Sequence, residues 1–193
     1  MLEALTGTGL AASAGLNAYI PLLTMGLLAR YTDLMELPDG WQWISGGWAI
    51  GILVVLLAVE VVADKVPVLD HALDTVGMVV KPAVGTMVAA AMFVKLPPFA
   101  ATLLGLAVGG TVATTVGLAK AKVRLLSSLT TGTMLNPVLS FVEDLVSTVI
   151  AAIALIAPFL ALLFILVIVA YAVRRLHKSL GPPPPDPRQA GPG

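Results

Sequence analysis

AVEVVADKVPVLDHALDTVGMVVKP, residues 58–82, sets Glu60, Asp64, Asp70 and Asp74, with Lys65, Lys81 and His71, inside flanks of little but Val, Leu, Ala and Gly. Each carboxylate at the centre of a lipid-facing helix would cost about 2.5–3.5 kcal/mol on insertion scales. The fold must therefore either gather these groups inside protein or bring them out at an interface. Which of the two it does decides the architecture.

The rest of the 193-residue chain sharpens the question, with 58% hydrophobic and only 11% charged residues and a mean hydropathy of +0.97. An average soluble domain carries roughly 25% charged residues, so this is an all-α, polytopic integral membrane protein. Eleven basic and eleven acidic side chains cancel, which gives no footing for nucleic acid or another polyanion. The absence of cysteine removes disulfides, thiolate metal sites and a thiol nucleophile. MLEALTGTGLAASAG at the start has an acid and no positive n-region, and reads as mature protein.

Crossing the bilayer core takes about 20 apolar residues. That rule predicts a first span over 5–28, containing Pro21, and a second over 48–63, the two joined by a polar loop with Trp41, Trp43 and Trp48 at the interface. The amphipathic stretch after Pro67 lies at the interface or dips inward and completes a third crossing through KPAVGTMVAAAMFV. The fourth, 99–119, carries Gly105 and Gly109 as a GxxxG pair. The segment after Pro137 is long enough to cross or to re-enter. The last span, 147–173, tolerates Pro158 and stops at RRLHK. About six crossings result, in a single transmembrane helical domain over 1–178, with 179–193 a disordered proline-rich tail. Both termini are placed in the cytoplasm, because Lys65, the Lys120/Lys122/Arg124 cluster and the Arg174/Arg175/Lys178 cluster then fall inside. SAGLNAYIPLL resembles TVGLAKAKVRLL, and VLDHALDTV resembles FVEDLVSTV. These matches suggest a three-plus-three inverted repeat with a site between the halves.

Candidate site residues follow from helical register. Glu60 and Asp64 share a face, as do Asp70, Asp74 and Lys81 if the helix continues up to Pro82. The second set makes an internal salt bridge or a cation site, and the same groups fit the wet face of an interfacial helix. Glu60, Asp64 and Lys65 could equally snorkel to the interface. Asn136, Ser140, Glu143 and Ser147 stand at i, i+4, i+7 and i+11, an arc of roughly 60° that should line a cavity or another helix. Asp144 adjoins it. Asn136-Pro137 is expected to start a helix, with Asn136 as cap, offering unpaired N–H groups to an anion. Asn17 and Tyr19, near a carbonyl freed by Pro21, form a second polar spot at mid-depth or act as helix-packing glue. His71 has no second histidine nearby to make a metal site. No phosphate loop, dinucleotide fingerprint, zinc-protease helix or nucleophile elbow occurs.

SAGLNAYIPLLTMGLLARY, VEVVADKVPVLDHALDTV with VKPAVG, and LNPVLSFVEDLVSTVIA together resemble the bacterial membrane family known as domain of unknown function 4126, over roughly 5–173. The resemblance implies a polytopic inner-membrane protein. It draws attention to Asn17, Tyr19, Pro21, Glu60, Asp64, Lys65, Pro67, Asp70, Asp74, Pro82, Asn136, Pro137, Glu143 and Asp144, and supplies no substrate.

The expected function is a small transporter or channel-like permease whose acids bind a cation (Na⁺, H⁺ or Mg²⁺) or line a proton path for a small solute. No other cofactor is expected. The small size suggests a homo-oligomer closed through the glycine-rich fourth span. One rival is an Mg²⁺-dependent enzyme acting on a lipid diphosphate headgroup. Another is a structural assembly factor.

Overall fold

The computed structural model describes residues 2–63, 67–131 and 134–180, without the side chains of 67–71, 74, 131 and several in the last helix. Every regular element among them is helical: α1 (Leu2–Leu16), α2 (Tyr19–Tyr31), a 3₁₀ turn (Asp39–Ser45), α3 (Gly47–Ala63), α4 (Pro67–Met92), α5 (Pro98–Leu104), a π turn (Gly105–Gly110), α6 (Thr111–Thr131), α7 (Asn136–Ile156) and α8 (Pro158–Leu180). Among the described residues three stretches are long and apolar enough to cross a membrane: Thr75–Met92, Pro98–Thr130 and Asn136–Ile156. A fourth is added if the 3₁₀ turn and α3, bent by 60°, count as one span.

The predicted first span is two helices. Proline at 21 lacks an N–H and crowds the carbonyl four residues earlier, that of Asn17. The helix breaks there, at Asn17–Ala18. The two pieces do not run on in one direction. Glu3 at the start of α1 lies 3.9 Å from Lys95, in the α4–α5 connection. Beyond α2, Pro38, Gly40 and Trp41 share a 310 Å³ pocket with Ala90, Phe93, Leu96 and Pro98. Both ends of the α1–α2 unit therefore sit at the same end of the bundle, and the unit is a hairpin with Asn17–Ala18 at its tip. A 15-residue helix rises about 22 Å, short of the ~30 Å hydrocarbon core, so neither half of the hairpin is by itself long enough for the crossing expected of 5–28.

The segments suspected of re-entering are instead full helices. α4 continues for 26 residues through Pro82, so Asp70, Asp74 and Lys81 fall on one face by register. α7 runs 21 residues from Asn136, also long enough to cross. It stops at Ala157, whose backbone (φ −145°, ψ 76°) lies outside the α region, which a following proline disfavours. The expected span 147–173 is thus divided between α7 and α8 at Pro158.

Helix directions also correct the inverted repeat. α4 pairs antiparallel with the long α5–α6 helix, Ala90 meeting Gly105 while Gly85 meets Gly109. α7 pairs antiparallel with the same helix, Asn136 bonding Ser128 while Glu143 meets Lys120. The resembling segments on α4 and α7 therefore run parallel to each other, whereas inversion would make them antiparallel. The matched Gly-Leu sites run parallel as well, since Gly7 and Gly109 both meet Ala89 while, farther along both helices, Gly15 meets α6. A Cβ on Gly15 would come within 2.7 Å of the Ala113 carbonyl and of Val116, and one on Gly117 within 3.5 Å of the Gly15 carbonyl.

Small residues bring the backbones close. α1 is central, packed on α4, α6, α7 and α8, with Gly7 against Ala89. Gly105, Gly109 and Gly110 are all buried, because a turn closed by i→i+5 bonds brings Gly110 round beside Gly105. All three face α4 at Gly85, Thr86, Ala89 and Ala90. The glycine pair expected to join protomers is already occupied within the chain.

Candidate functional site

The site forms where the hairpin tip meets α6 and α7. Asn17, 1% exposed, turns the chain. Its side-chain oxygen accepts the backbone N–H groups of Tyr19 (2.9 Å) and Ile20 (3.2 Å), so it caps the start of α2. Its amide nitrogen donates to Asp144 Oδ1 at 2.9 Å. One side chain thus ends one half-helix, begins the other and ties both to α7.

The C-terminal carbonyls of α1 have no partners inside their own helix. One of them, at Leu16, accepts from Lys120 Nζ at 2.9 Å. The same ammonium lies 3.0 Å from Glu143 Oε2, and Arg124 Nη2 reaches that carboxylate oxygen at 2.9 Å. Arg124 also donates to Ser140 Oγ at 2.9 Å. The two cationic side chains are 4% exposed and that of Glu143 is 12% exposed, so the triad is inside protein. Deeper along α1, Ser13 and Ser147 are both fully buried. Each hydroxyl donates to the other's carbonyl at 3.0 Å, and their oxygens stand 2.8 Å apart.

This layer accounts for the polar stripe on α7. Asn136, Ser140 and Ser147 are buried and Glu143 nearly so, while Val138, Phe141, Val142 and Leu145 on the other side are exposed. Asn136 does not cap its helix. Leu135 holds that position without a side-chain bond, and the Asn136 amide reaches back to Ser128 Oγ at 3.4 Å.

A second cluster adjoins the first. Tyr19, half-buried Glu60 and buried Lys81 line a small pocket of 30 Å³ with Ala18, Leu73, Val76, Gly77 and Val80. Glu60 interacts electrostatically with both Tyr19 and Lys120. Asp64 and Lys65 lie outside the described residues, as do the side chains of Asp70, His71 and Asp74. Among the described residues no three acidic or histidine side chains are grouped to hold a metal.

Lys120 and Arg124 were missing from the sequence expectation, which counted them as cytoplasmic charges. A signal for them existed. Ala113, Gly117, Lys120 and Arg124 repeat the i, i+4, i+7, i+11 spacing of the α7 stripe, and small residues at two of these places mark a packing face. Exposed Lys122 is off that face. The charge-counting argument for topology loses two of its residues.

Alongside the triad lies a 430 Å³ cleft between α1, α6, α7 and α8, walled by apolar side chains such as Ala12, Val116, Val142 and Ile165, with Lys120 and Glu143 also in its lining. The model of the family described as Domain of unknown function (DUF4126) matches residues 4–178. The chain belongs to this family. Comparison of this DUF4126 chain with curated proteins and with solved structures found no match.

Replacing Asn17 with alanine removes the cap of α2 and the donor on Asp144 together. The loss of the cap alone is expected to cost about 1–2 kcal/mol. Thermal unfolding of the purified variant in detergent checks it, with Thr32→Ala, at the exposed end of α2, expected to change little.

Proposed function

We propose that this DUF4126 protein is a small permease in which the α1–α2 hairpin re-enters the membrane and closes a solute pathway. The observation that carries this is the docking of the hairpin's broken backbone, at Leu16 and Asn17, onto Lys120, Glu143 and Asp144. Irregular backbone at membrane depth is tolerated only where it is buried in protein or lines a cavity. Half-helix ends facing charged groups are how many transporters build a central site. Fixed scaffolding is a weak reason to bury a lysine, an arginine and a glutamate there, since desolvation offsets much of the attraction between them.

Five crossings, by the 3₁₀ turn with α3, α4, α5–α6, α7 and α8, accompany the hairpin in this proposal. The N-terminus and the C-terminus then lie on opposite faces of the bacterial inner membrane, which revises the expectation that both are cytoplasmic. The end carrying Lys65, Lys122, Arg174, Arg175 and Lys178 faces the cytoplasm. A homo-oligomer, if formed, closes through a face other than the glycines. Trp48, Ile52, Val55, Val59 and Val62 make an exposed stripe on α3 suited to lipid or a second copy.

The Mg²⁺-dependent enzyme is the weaker reading, because two cationic side chains already face Glu143 and would repel a divalent ion there. The test is stopped-flow light scattering of proteoliposomes under gradients of a panel of small neutral and charged solutes. At least one solute is expected to enter faster than into protein-free vesicles, and Asp144→Asn is expected to return that rate to the vesicle baseline. No solute crossing above baseline rejects the permease and leaves the assembly-factor reading.

A further inference from the structure

We propose that Lys120 is a tethered cation standing where a transporter of this design would hold a sodium ion, and that its proton governs docking of the hairpin. The inference rests on the permease reading and names its coupling ion. The ammonium bridges two acceptors from distant parts of the chain, the Leu16 carbonyl at the end of α1 and the Glu143 carboxylate on α7. A helix-terminal carbonyl and a carboxylate are the ligand types a monovalent cation takes at a discontinuous helix. Here the place is filled by a side chain, and Arg124 adds a second positive charge on the same oxygen. A metal cation has neither room nor favourable potential at that point.

The two cations differ in one respect that matters. An arginine keeps its charge at all accessible pH, whereas a lysine can release a proton. Arg124, held by Glu143 and Ser140, continues to neutralise Glu143 when Lys120 becomes an amine, so losing the proton leaves no bare carboxylate behind. The tip then loses its strongest tie. The proton passes to water as the tip leaves its seat and is regained from water when the hairpin docks again. The titratable and charged groups facing Lys120 are Glu143 and Asp144 of α7, Arg124 of its own helix and Glu60 of α3, with Tyr171 of α8 across the cleft; Tyr19 of α2 and Lys81 of α4 line the small pocket around Glu60. α1 offers only a carbonyl.

The chain has no cysteine, so a single Ala18→Cys probe, at a tip position 2% exposed, reports docking. Its maleimide labelling rate in nanodiscs is normalised to the same thiol in denatured protein at each pH. The normalised rate is expected to be flat from about pH 7 to about pH 10 and to rise at least about tenfold by about pH 11.5, about one unit past the ordinary lysine value, because a tie made by the ammonium is lost only as pH climbs beyond the pKa of the undocked amine. With Lys120→Arg it should stay slow throughout, and with Lys120→Met fast throughout. Replacing sodium with N-methylglucamine should change nothing. Persistence of the pH dependence in Lys120→Arg, a fast rate in that variant at the lower pH, or slowing by sodium overturns the assignment of Lys120. A wild-type rate that ignores pH does so too. None of these labelling outcomes touches the solute flux, which is measured separately, so the permease reading stands or falls on its own assay.

Discussion

Glu143→Gln is expected to destabilise the protein by about 3–5 kcal/mol, because it leaves Lys120 and Arg124 buried with no carboxylate between them. Both cations point at the one oxygen, Oε2, and neither side chain has the exposure to turn toward water. The amide that replaces the carboxylate brings no charge to balance either of them. Reversible unfolding in mixed micelles, titrated with SDS, measures the loss. The companion variant carries Lys120→Met, Arg124→Met, Ser140→Ala and Glu143→Leu together. Replacing a buried ionic group by apolar side chains of similar volume is often neutral or stabilising by about 1–4 kcal/mol, so this variant is expected to recover most of the stability. It should nonetheless lose solute flux. Recovered stability with normal flux would show that the triad only holds the helices together.

The second large effect is at the contact between α4 and the π turn. A Cβ on Gly109 would collide with the Gly85 carbonyl and with Ala89, and it would stand 2.8 Å from the Gly85 carbonyl carbon. Two of these obstacles are backbone atoms, which cannot move aside as a side chain does. Gly109→Ala is therefore expected to cost about 3 kcal/mol, at the upper end for overpacked cores, or to separate the two helices. The control is Gly51→Ala on α3. Nothing lies within 4 Å of the point its new methyl would occupy, so the gain in helix propensity should stabilise by about 0.5–1 kcal/mol. The same SDS titration compares the two. Equal effects would mean that α4 and the π turn are not in contact.

Much of the architecture was legible in the sequence, and the errors have particular causes. Hydropathy and length gave an all-helical membrane protein and the start of α7 at Asn136. The inward stripe of α7 followed from register alone, since four polar residues on one arc of an apolar helix have nowhere else to go. Pro21 marked the break at Asn17. What it could not tell is whether the chain runs on or turns back after the break, because 5–28 is long enough to cross if straight. That choice depends on contacts with residues 90–98, far away in sequence.

Two other errors came from treating like residues alike. Pro82 was a reason to doubt α4, yet the helix passes through it, whereas Pro158 was accepted inside a span and instead ends α7. Local sequence is similar at the two prolines, and packing of α4 against α1 and the π turn separates them. Lys120 and Arg124 were counted as cytoplasmic charges because they sit beside Lys122. Their register with Ala113 and Gly117 places them on the packed face, and the i, i+4, i+7, i+11 test that found the α7 stripe would have found them on α6. The residues missed were thus the ion-pair partners of one that was chosen, Glu143.

Lysine acylation footprinting tests the central claim most directly, because burial of Lys120 at the hairpin tip is what separates a closed re-entrant device from a simple bundle with charged ends. In the intact protein treated with a water-soluble acylating reagent, Lys95, whose side chain is 86% exposed, should react quickly. Lys120 should be protected until the protein is denatured. Modification of Lys120 at the rate of Lys95 would contradict the account.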